Sequence, residues 1–305
     1  MTPQKISIIG CGRVGTALAV FLSRAGYNIR GVASRTRSSA EKTVQAIVEP
    51  LSVKERVADA TVQVCNSPAE AAIAGDIVFI TTPDHLIGEI CSDISNTTAV
   101  NMAQKTIFHC SGALSSCLLS SAADKGANTG SIHPLQSFAP YAFGQESPFT
   151  GINVSVEGSE QALTTGRELI HALGANTFTI PTKAKTLYHA AAVVASNYLV
   201  TIEHFALELL KEAELSEQKG YEILEPLIHG TLANIRNRGA VASLTGPVAR
   251  GDVQIVEKHL KDIDERLPQF SNLYRVMGQY TLELARKRGE LSQVAVEGLT
   301  DIFHG

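Results

Sequence analysis

The stretch "KISIIGCGRVGTAL", residues 5–18, decides how the rest of the chain is read. Lys5–Gly10 is a short apolar run of strand type, and from Val14 to Ala25 apolar residues recur with helical period. Between the two, Gly10, Gly12 and Gly15 fall in the spacing G-x-G-x-x-G. The first glycine suits a tight turn, and the second lets backbone approach a pyrophosphate. The third lets helix and strand pack closely. The helix start offers free N–H groups and a positive dipole end to phosphates. A ligand-free strand–helix turn has the same outline. Its place before a second strand at the right distance favours a dinucleotide loop, with Cys11, Arg13 and Val14 joining the three glycines as cofactor contacts.

Outward from this loop, apolar runs of strand length recur at Tyr27–Ser34, Val62–Cys65, Asp76–Thr82, Thr106–Cys110, Ala127–His133, Ile152–Glu157 and Asn176–Pro181. Helical patterns such as Val14–Ala25 and Gln161–Leu173 lie between most of them. This alternation implies right-handed crossovers and a mainly parallel sheet. After Pro181 the strands stop, and the pattern is helical to Phe303, with breaks at "AELSEQ", "RNRGAVASLTGPVARGD" and "RLPQF". The expected fold is α/β: a doubly wound nucleotide domain over 1–181 and an all-helical domain over 182–305, hinged near Pro181–Lys183. No internal repeat or low-complexity segment is present.

Composition narrows the function classes. The 305 residues are 44% hydrophobic and 18% charged, with a net charge of −4. That balance offers no basic face for nucleic acid and no polybasic membrane patch. The start of the chain runs straight into a strand pattern, so no secretory signal is expected. Five scattered cysteines form no C-x-x-C pair and no zinc-type cluster, which suits mostly buried, reduced thiols and no metal. The apolar run around "AAAVVASNYLVTI" is interrupted by Ser196 and Asn197 and falls short of the roughly 20 residues of a bilayer span. A soluble cytoplasmic protein is expected.

The end of the second strand reads "GVASRTRSS". Sites for NAD usually place Asp or Glu there to bind the ribose 2′-hydroxyl. Here Ser34 holds the place, followed by Arg35 and Arg37. Loss of the carboxylate removes repulsion against a 2′-phosphate, and two guanidiniums can pair with it, so NADP is favoured over NAD. Ser38 and Glu41 also fit a helix-capping box, and the two readings are compatible.

Ligands of doubly wound sheets bind beyond the carboxyl ends of the strands. Those ends supply Thr81, Thr82, Pro83 and Asp84, then His109, Cys110, Ser111 and Gly112, then His133 in "SIHPLQSFAP". Thr81, Thr82, Pro83 and Ser111 are assigned to the cofactor, and Ser111 and Gly112 to substrate. His133 is either a turn residue or part of the chemistry. The helix "KAKTLYHAAAVVASNYLVTIEHF" (183–205) is apolar nearly all round and is expected to be the buried spine of the helical domain. At about 100° per residue, Lys185, His189 and Ser196 fall within roughly 40° of one another, with Asn197 some 80° from His189. A buried polar stripe needs partners. These are other helices, a dimer interface, or an interdomain cleft over the nicotinamide. In the cleft reading Lys185 or His189 donates a proton during hydride transfer, while Asn197, Ser196 and Ser111 hold substrate. In "LTGPVARGD", Asp252 suits an N-cap. Arg250 is either solvated or a partner for an anionic substrate group.

Taken together, "GCGRVGTAL", "HCSGALS", "HPLQSF", "YHAAAVVASNYL" and "LTGPVARGD" resemble the Rossmann-like proteins that carry a domain of unknown function, DUF2520. These are described as NADP oxidoreductases by likeness to coenzyme-F420-dependent enzymes. More distantly, the layout is similar to pyrroline-5-carboxylate reductase, prephenate dehydrogenase and the β-hydroxyacid dehydrogenases. The resemblance implies a Rossmann domain, an NADP cofactor and a homodimer formed through the helical domain, but no substrate. Prephenate dehydrogenases carry H-P-M where this chain has His133-Pro134-Leu135, which implies that His133 faces substrate. The β-hydroxyacid pattern around Lys185 is broken, since position 189 is His and not Asn. The serine/threonine-rich substrate loop of pyrroline-5-carboxylate reductases is missing too, which argues against proline synthesis. The expected function is NADP-dependent hydride transfer to or from a carbonyl, imine or alcohol carbon, with His133, Lys185, His189 and Asn197 as candidates for proton transfer and positioning. A non-catalytic NADP(H) sensor or scaffold and an F420-dependent NADP reductase are the alternatives.

Overall fold

The computed structural model describes residues 4–48 and 62–305. By packing, the chain divides into two compact units, Met1–Val194 and Ala195–Gly305. The Lys185–Val193 helix, which lies past the expected hinge, therefore belongs with the first unit.

All eight expected strands form: β1 Lys5–Ile9, β2 Asn28–Ala33, β3 Gln63–Val64, β4 Ile77–Ile80, β5 Thr106–His109, β6 Asn128–Pro134, β7 Asn153–Gly158 and β8 Asn176–Thr179. They join one sheet in the order β3-β2-β1-β4-β5-β6-β7-β8. The first six run parallel, β7 is antiparallel to β6, and β8 is parallel to β7. The order 3-2-1-4-5-6 is that of a doubly wound dinucleotide fold, whose switch point lies between β1 and β4.

Both faces of the sheet are covered, so the central strands need apolar side chains on both sides. Ile6, Ile8, Phe79 and Phe108 pack with Leu18, Val20 and Leu22 of the Arg13–Arg24 helix on one face. Ile9, Val78, Ile80 and Ile107 pack with Ile87, Cys91 and Ile94 of the Asp84–Asn96 helix on the other. At roughly 25 cal/mol per Å² of buried apolar surface, these two layers supply the main stabilisation of the unit. The five cysteines are free. Cys65 and Cys91 are buried, Cys11 and Cys110 half-buried, and Cys117 exposed, fewer buried than expected because Cys11 and Cys110 stand just past strand ends and Cys117 lies on the short Ser116–Leu119 helix.

The second unit is helical, built from Leu199–Glu212, Glu217–Ser243, Pro247–Arg250, Val253–Arg266, Pro268–Arg286 and Gln293–His304. Its core gathers Val248, Val256, Leu282, Leu299 and Phe303, with Phe205, Ile263 and Leu267 beside it. The break expected over 236–252 begins later than its first residues. The helix runs on through a kink at Gly239, φ +77°, a conformation open to glycine at little cost, and ends at Ser243 before the short Pro247–Arg250 helix.

The expectation of a buried spine over 183–205 fails. Leu187, Val194, Tyr198 and Val200 are each more than half exposed. All-round apolarity implies burial, but among the described residues no element covers these faces. The helical stretch Thr182–Glu212, with a mean hydropathy of 1.3, is also long and apolar enough to cross a membrane by length and composition. The run is longer than expected because Ser196 and Asn197 do not interrupt it. The chain winds through them as a π-helical turn, Val194–Tyr198.

Candidate active site at the carboxyl edge of the sheet

The glycine loop meets each of its three requirements. Gly10 has φ +105°, and a Cβ there would stand 2.7 Å from the Thr81 backbone. A Cβ on Gly15 would lie 2.0 Å from the Gly10 carbonyl oxygen. Over Gly12, among the described residues, there is nothing within 4 Å, which is the open approach that a pyrophosphate needs. Gly12 caps the Arg13–Arg24 helix without any side chain occupying its first N–H groups, so they remain available to an anion. Thr81 Oγ1 donates to the Gly10 carbonyl at 2.6 Å, so this residue braces the loop. Among the described residues, the buried Thr82 Oγ1 has no partner. An orphaned hydroxyl on the residue whose backbone packs against Gly10 fits a site that a ligand completes.

At the end of β2, Ser34 Oγ accepts from the Cys11 N–H at 3.5 Å. Arg35 is exposed. Arg37 is partly engaged, donating to Glu41 at 2.9 Å and to Asn66 Oδ1 at 3.2 Å. The Ser38–Glu41 capping box does not form. Thr36 Oγ1 accepts the Ser39 N–H instead, and Glu41 turns to the guanidinium one turn before it because the i,i+4 spacing favours that pair.

At the edge of β5 the expected ligand-binding role of Ser111 meets a competing use. Its Oγ donates to Asp84 Oδ2 at 2.8 Å and accepts from the Ala113 and Leu114 N–H groups. Its own N–H donates to His109 Nδ1 at 3.1 Å. With Nδ1 accepting, His109 carries its proton on Nε2 and donates to the Ser115 carbonyl at 3.0 Å. Burial lowers the His109 pKa, against the carbonyl contact that raises it, so this ring is a neutral strut. Ser111 therefore shapes the loop with every polar atom it has.

Lys185 is 2% exposed. Its Nζ donates to the Ser111 carbonyl at 2.9 Å and to Ser131 Oγ at 2.7 Å. Burial lowers its pKa, while Glu157 and Asp84 raise it from a distance. The ammonium points into the sheet edge and ties β6 to the loop after β5. Both of these contacts are to protein acceptors, so in this arrangement the side chain serves as a support. Glu157 of β7 is buried as well. It accepts from the Ser116 hydroxyl and N–H and from Thr182 Oγ1, pinning the start of the following helix to the sheet.

His133 lies within β6, paired with Ser155 of β7, and so is held by a strand and not by a turn. Its Nδ1 is 2.9 Å from Tyr188 Oη, and its ring meets Tyr188 and His189 edge to face, with centroids 5.6 and 6.1 Å apart. Gly112 closes the group: a Cβ there would stand 2.6 Å from His189 Cδ2 and 2.7 Å from His133 Cε1 and Nε2. Burial, then the Lys185 charge, then His189, depress the His133 pKa to about 4. The imidazole is neutral at ordinary pH.

Of the predicted residues, His133, His189, Lys185, Ser111 and Gly112 thus come together. Ser196 and Asn197 are exposed in the second unit. The stripe was projected at α-helical period, and the extra residue in the π turn rotates everything after Val194. Arg250 is ion-paired with Asp252 at 2.8 Å. That pair also uses the carboxylate expected to cap the Val253–Arg266 helix, which has no side-chain cap. Tyr188, Glu157 and Ser131 escaped the sequence reading, and Asp84 was marked at its strand end without a role. Tyr188 stands directly before His189 in the quoted helix, yet a tyrosine in an apolar run signals core as readily as a site.

These features define a Rossmann-type α/β protein with an open anion approach at its first helix and a buried polar cluster at the sheet's carboxyl edge. Comparisons with known proteins agree on the fold. Residues 2–134 match the Rossmann-like domain family and residues 152–281 match the domain of unknown function DUF2520; the chain carries both domains. No curated protein matches its sequence significantly. A Bacteroides fragilis protein proposed to be an NADP oxidoreductase superimposes with a TM-score of 0.74 at 22% identity, over 92% of this chain and 98% of the other. A Thermotoga maritima protein gives 0.65 at 23%, over 93% and 99%. A reductive aminase from Aspergillus terreus, solved with NADPH and ethyl-5-oxohexanoate, gives 0.60 at 14%, over 99% and 93%. Pyrroline-5-carboxylate reductases and imine reductases are among the other matches.

Proposed function

We propose that this protein is an NADP-dependent oxidoreductase acting on a small molecule with a carbonyl, imine or alcohol carbon, and that it works as a homodimer. The observation that carries the reading is the open space over Gly12, set against the crowding at Gly10 and Gly15. The first helix N–H groups carry no side-chain cap, and the Thr82 backbone packs against Gly10 of the same loop. Gly10, Gly12, Gly15 and Val14 would hold the pyrophosphate, and Ser34 and Arg35 the adenosine 2′-phosphate. The reductases among the structural neighbours, one of them bound to NADPH, support this cofactor.

When bound, the nicotinamide supplies or takes a hydride. The chain's own part is positional. Lys185 and Ser111 fix the loop after β5, Gly112 leaves room beside His133 and His189, and neutral His133 can share a hydrogen bond with a substrate heteroatom. His189 is the group left to exchange a proton with that heteroatom. A second copy of the chain is the proposed cover for the exposed apolar residues Val200, Tyr221 and Leu227, since apolar surface on this scale marks an interaction site. Titration with NADPH and NADH, then assay against imines, oxo-acids, aldehydes and a deazaflavin acceptor, tests the proposal. Binding of NADPH with turnover that collapses in His189→Ala supports it. Absence of binding to either nucleotide refutes it.

A further inference from the structure

We propose that Tyr188 is a positioning residue that fixes His133 as the Nε2–H tautomer, turning its N–H toward the space beside Gly112 as a donor for a carbonyl oxygen or imine nitrogen. The inference rests on the oxidoreductase reading and narrows the substrate group to one that accepts a hydrogen bond.

The hydroxyl of Tyr188 and Nδ1 of His133 are 2.9 Å apart, and one of the two must donate. A phenol donates well and accepts weakly because its lone pair is drawn into the ring, whereas an unprotonated imidazole nitrogen is a strong acceptor. The Ser155 hydroxyl, opposite His133 on β7, also reaches the phenol oxygen; as the donor there it leaves the phenol proton for Nδ1, and a neutral ring must then carry its proton on Nε2. The same logic operates on the neighbouring strand, where the Ser111 N–H donates to His109 Nδ1 and leaves Nε2 as the donor. Among the described residues His133 Nε2 has no protein partner, and it lies where a Cβ on residue 112 would stand 2.7 Å away. Glycine at 112 leaves that N–H open.

The phenol cannot easily turn away. Phe178 of β8 packs edge-on against its ring, with centroids 5.9 Å apart, while His133 meets it at 87°. Residue 188 thus sets which edge of the histidine is the donor without touching a substrate.

The test is nitrogen NMR on the full-length protein labelled with [15N]histidine, with the His133 signals assigned by their loss in His133→Gln. The wild type is expected to show a bare, pyridine-like Nδ1 and a protonated, pyrrole-like Nε2. Tyr188→Phe should shift the tautomer ratio toward Nδ1–H by on the order of tenfold, as loss of a single hydrogen bond allows. An Nδ1–H form in the wild type overturns the proposal without reference to any variant, and so does an unchanged ratio in a folded Tyr188→Phe. NADPH titration of the same variant separates this inference from the cofactor reading. Affinity within about twofold of wild type is expected, because the pair is far from the phosphate loop. Loss of NADPH binding in the wild type would overturn the cofactor reading and leave the tautomer result standing.

Discussion

Replacing His133 with glutamine keeps a polar side chain of similar reach on β6 but removes the group whose protonation the fold suppresses. The wild-type imidazole is held near pKa 4, against an ordinary 6.5, by burial first and then by the Lys185 ammonium and His189. Above pH 6.5 the ring is neutral in both folded and unfolded chains and contributes nothing to the pH dependence. As the pH falls below that value the unfolded chain takes up a proton that the folded chain refuses, and stability declines until the folded ring titrates as well. The full difference corresponds to ~3 kcal/mol, and solvent at the open edge of the ring lowers the usable part to ~2 kcal/mol near pH 5. His109 acts in the same direction, but it is present in both proteins and cancels from their difference. Urea unfolding followed by circular dichroism, at about pH 7.5 and pH 5, should therefore show the wild type losing ~2 kcal/mol more than His133→Gln on acidification. Direct NMR titration of the ring should place its midpoint near 4. Equal acid sensitivity in the two proteins, or a midpoint near 6.5, would refute the account of a buried ring beside a buried cation.

Other consequences follow from the same geometry. Gly12→Ala should fold normally, since nothing stands within 4 Å of the added methyl, yet lower NADPH affinity by about tenfold through the blocked phosphate approach. Gly15→Ala, driven against the Gly10 carbonyl, should cost at least ~2 kcal/mol in urea unfolding. Arg35→Ala should weaken NADPH by about tenfold and leave NADH unchanged, with Arg37→Ala affecting NADPH less because Glu41 and Asn66 already engage that side chain. Equal effects of Arg35→Ala on both nucleotides would assign the 2′-phosphate elsewhere. Lys185→Met should raise the His133 midpoint toward its ordinary value, because the second cause of its depression is gone; NMR titration reads this directly. Val200→Asp, at a position 68% exposed, should convert the proposed dimer to monomer in sedimentation.

The sequence by itself determined the sheet. Eight strand runs, the glycine spacing and the change to helical pattern after Pro181 are local signals, written in period and turn chemistry, and all eight strands and the helical half formed. It also marked the carboxyl ends of β4, β5 and β6 as the place to look, because in a parallel sheet those ends share one edge whatever the details. Tertiary structure alone decided what each side chain does there. Lys185 looked like a proton donor on a helix face, but the strand ends offered it two acceptors, and a buried ammonium takes the acceptors within reach. Arg250 looked free until Asp252 met it. Ser196 and Asn197 left the stripe because one π turn changes the helical phase, and no periodicity written in the sequence announces that. Tyr188 gained its place beside His133 by contact across 55 residues. Local patterns fix elements because neighbours in sequence are neighbours in space; partners in a site are chosen only when the chain has closed on itself.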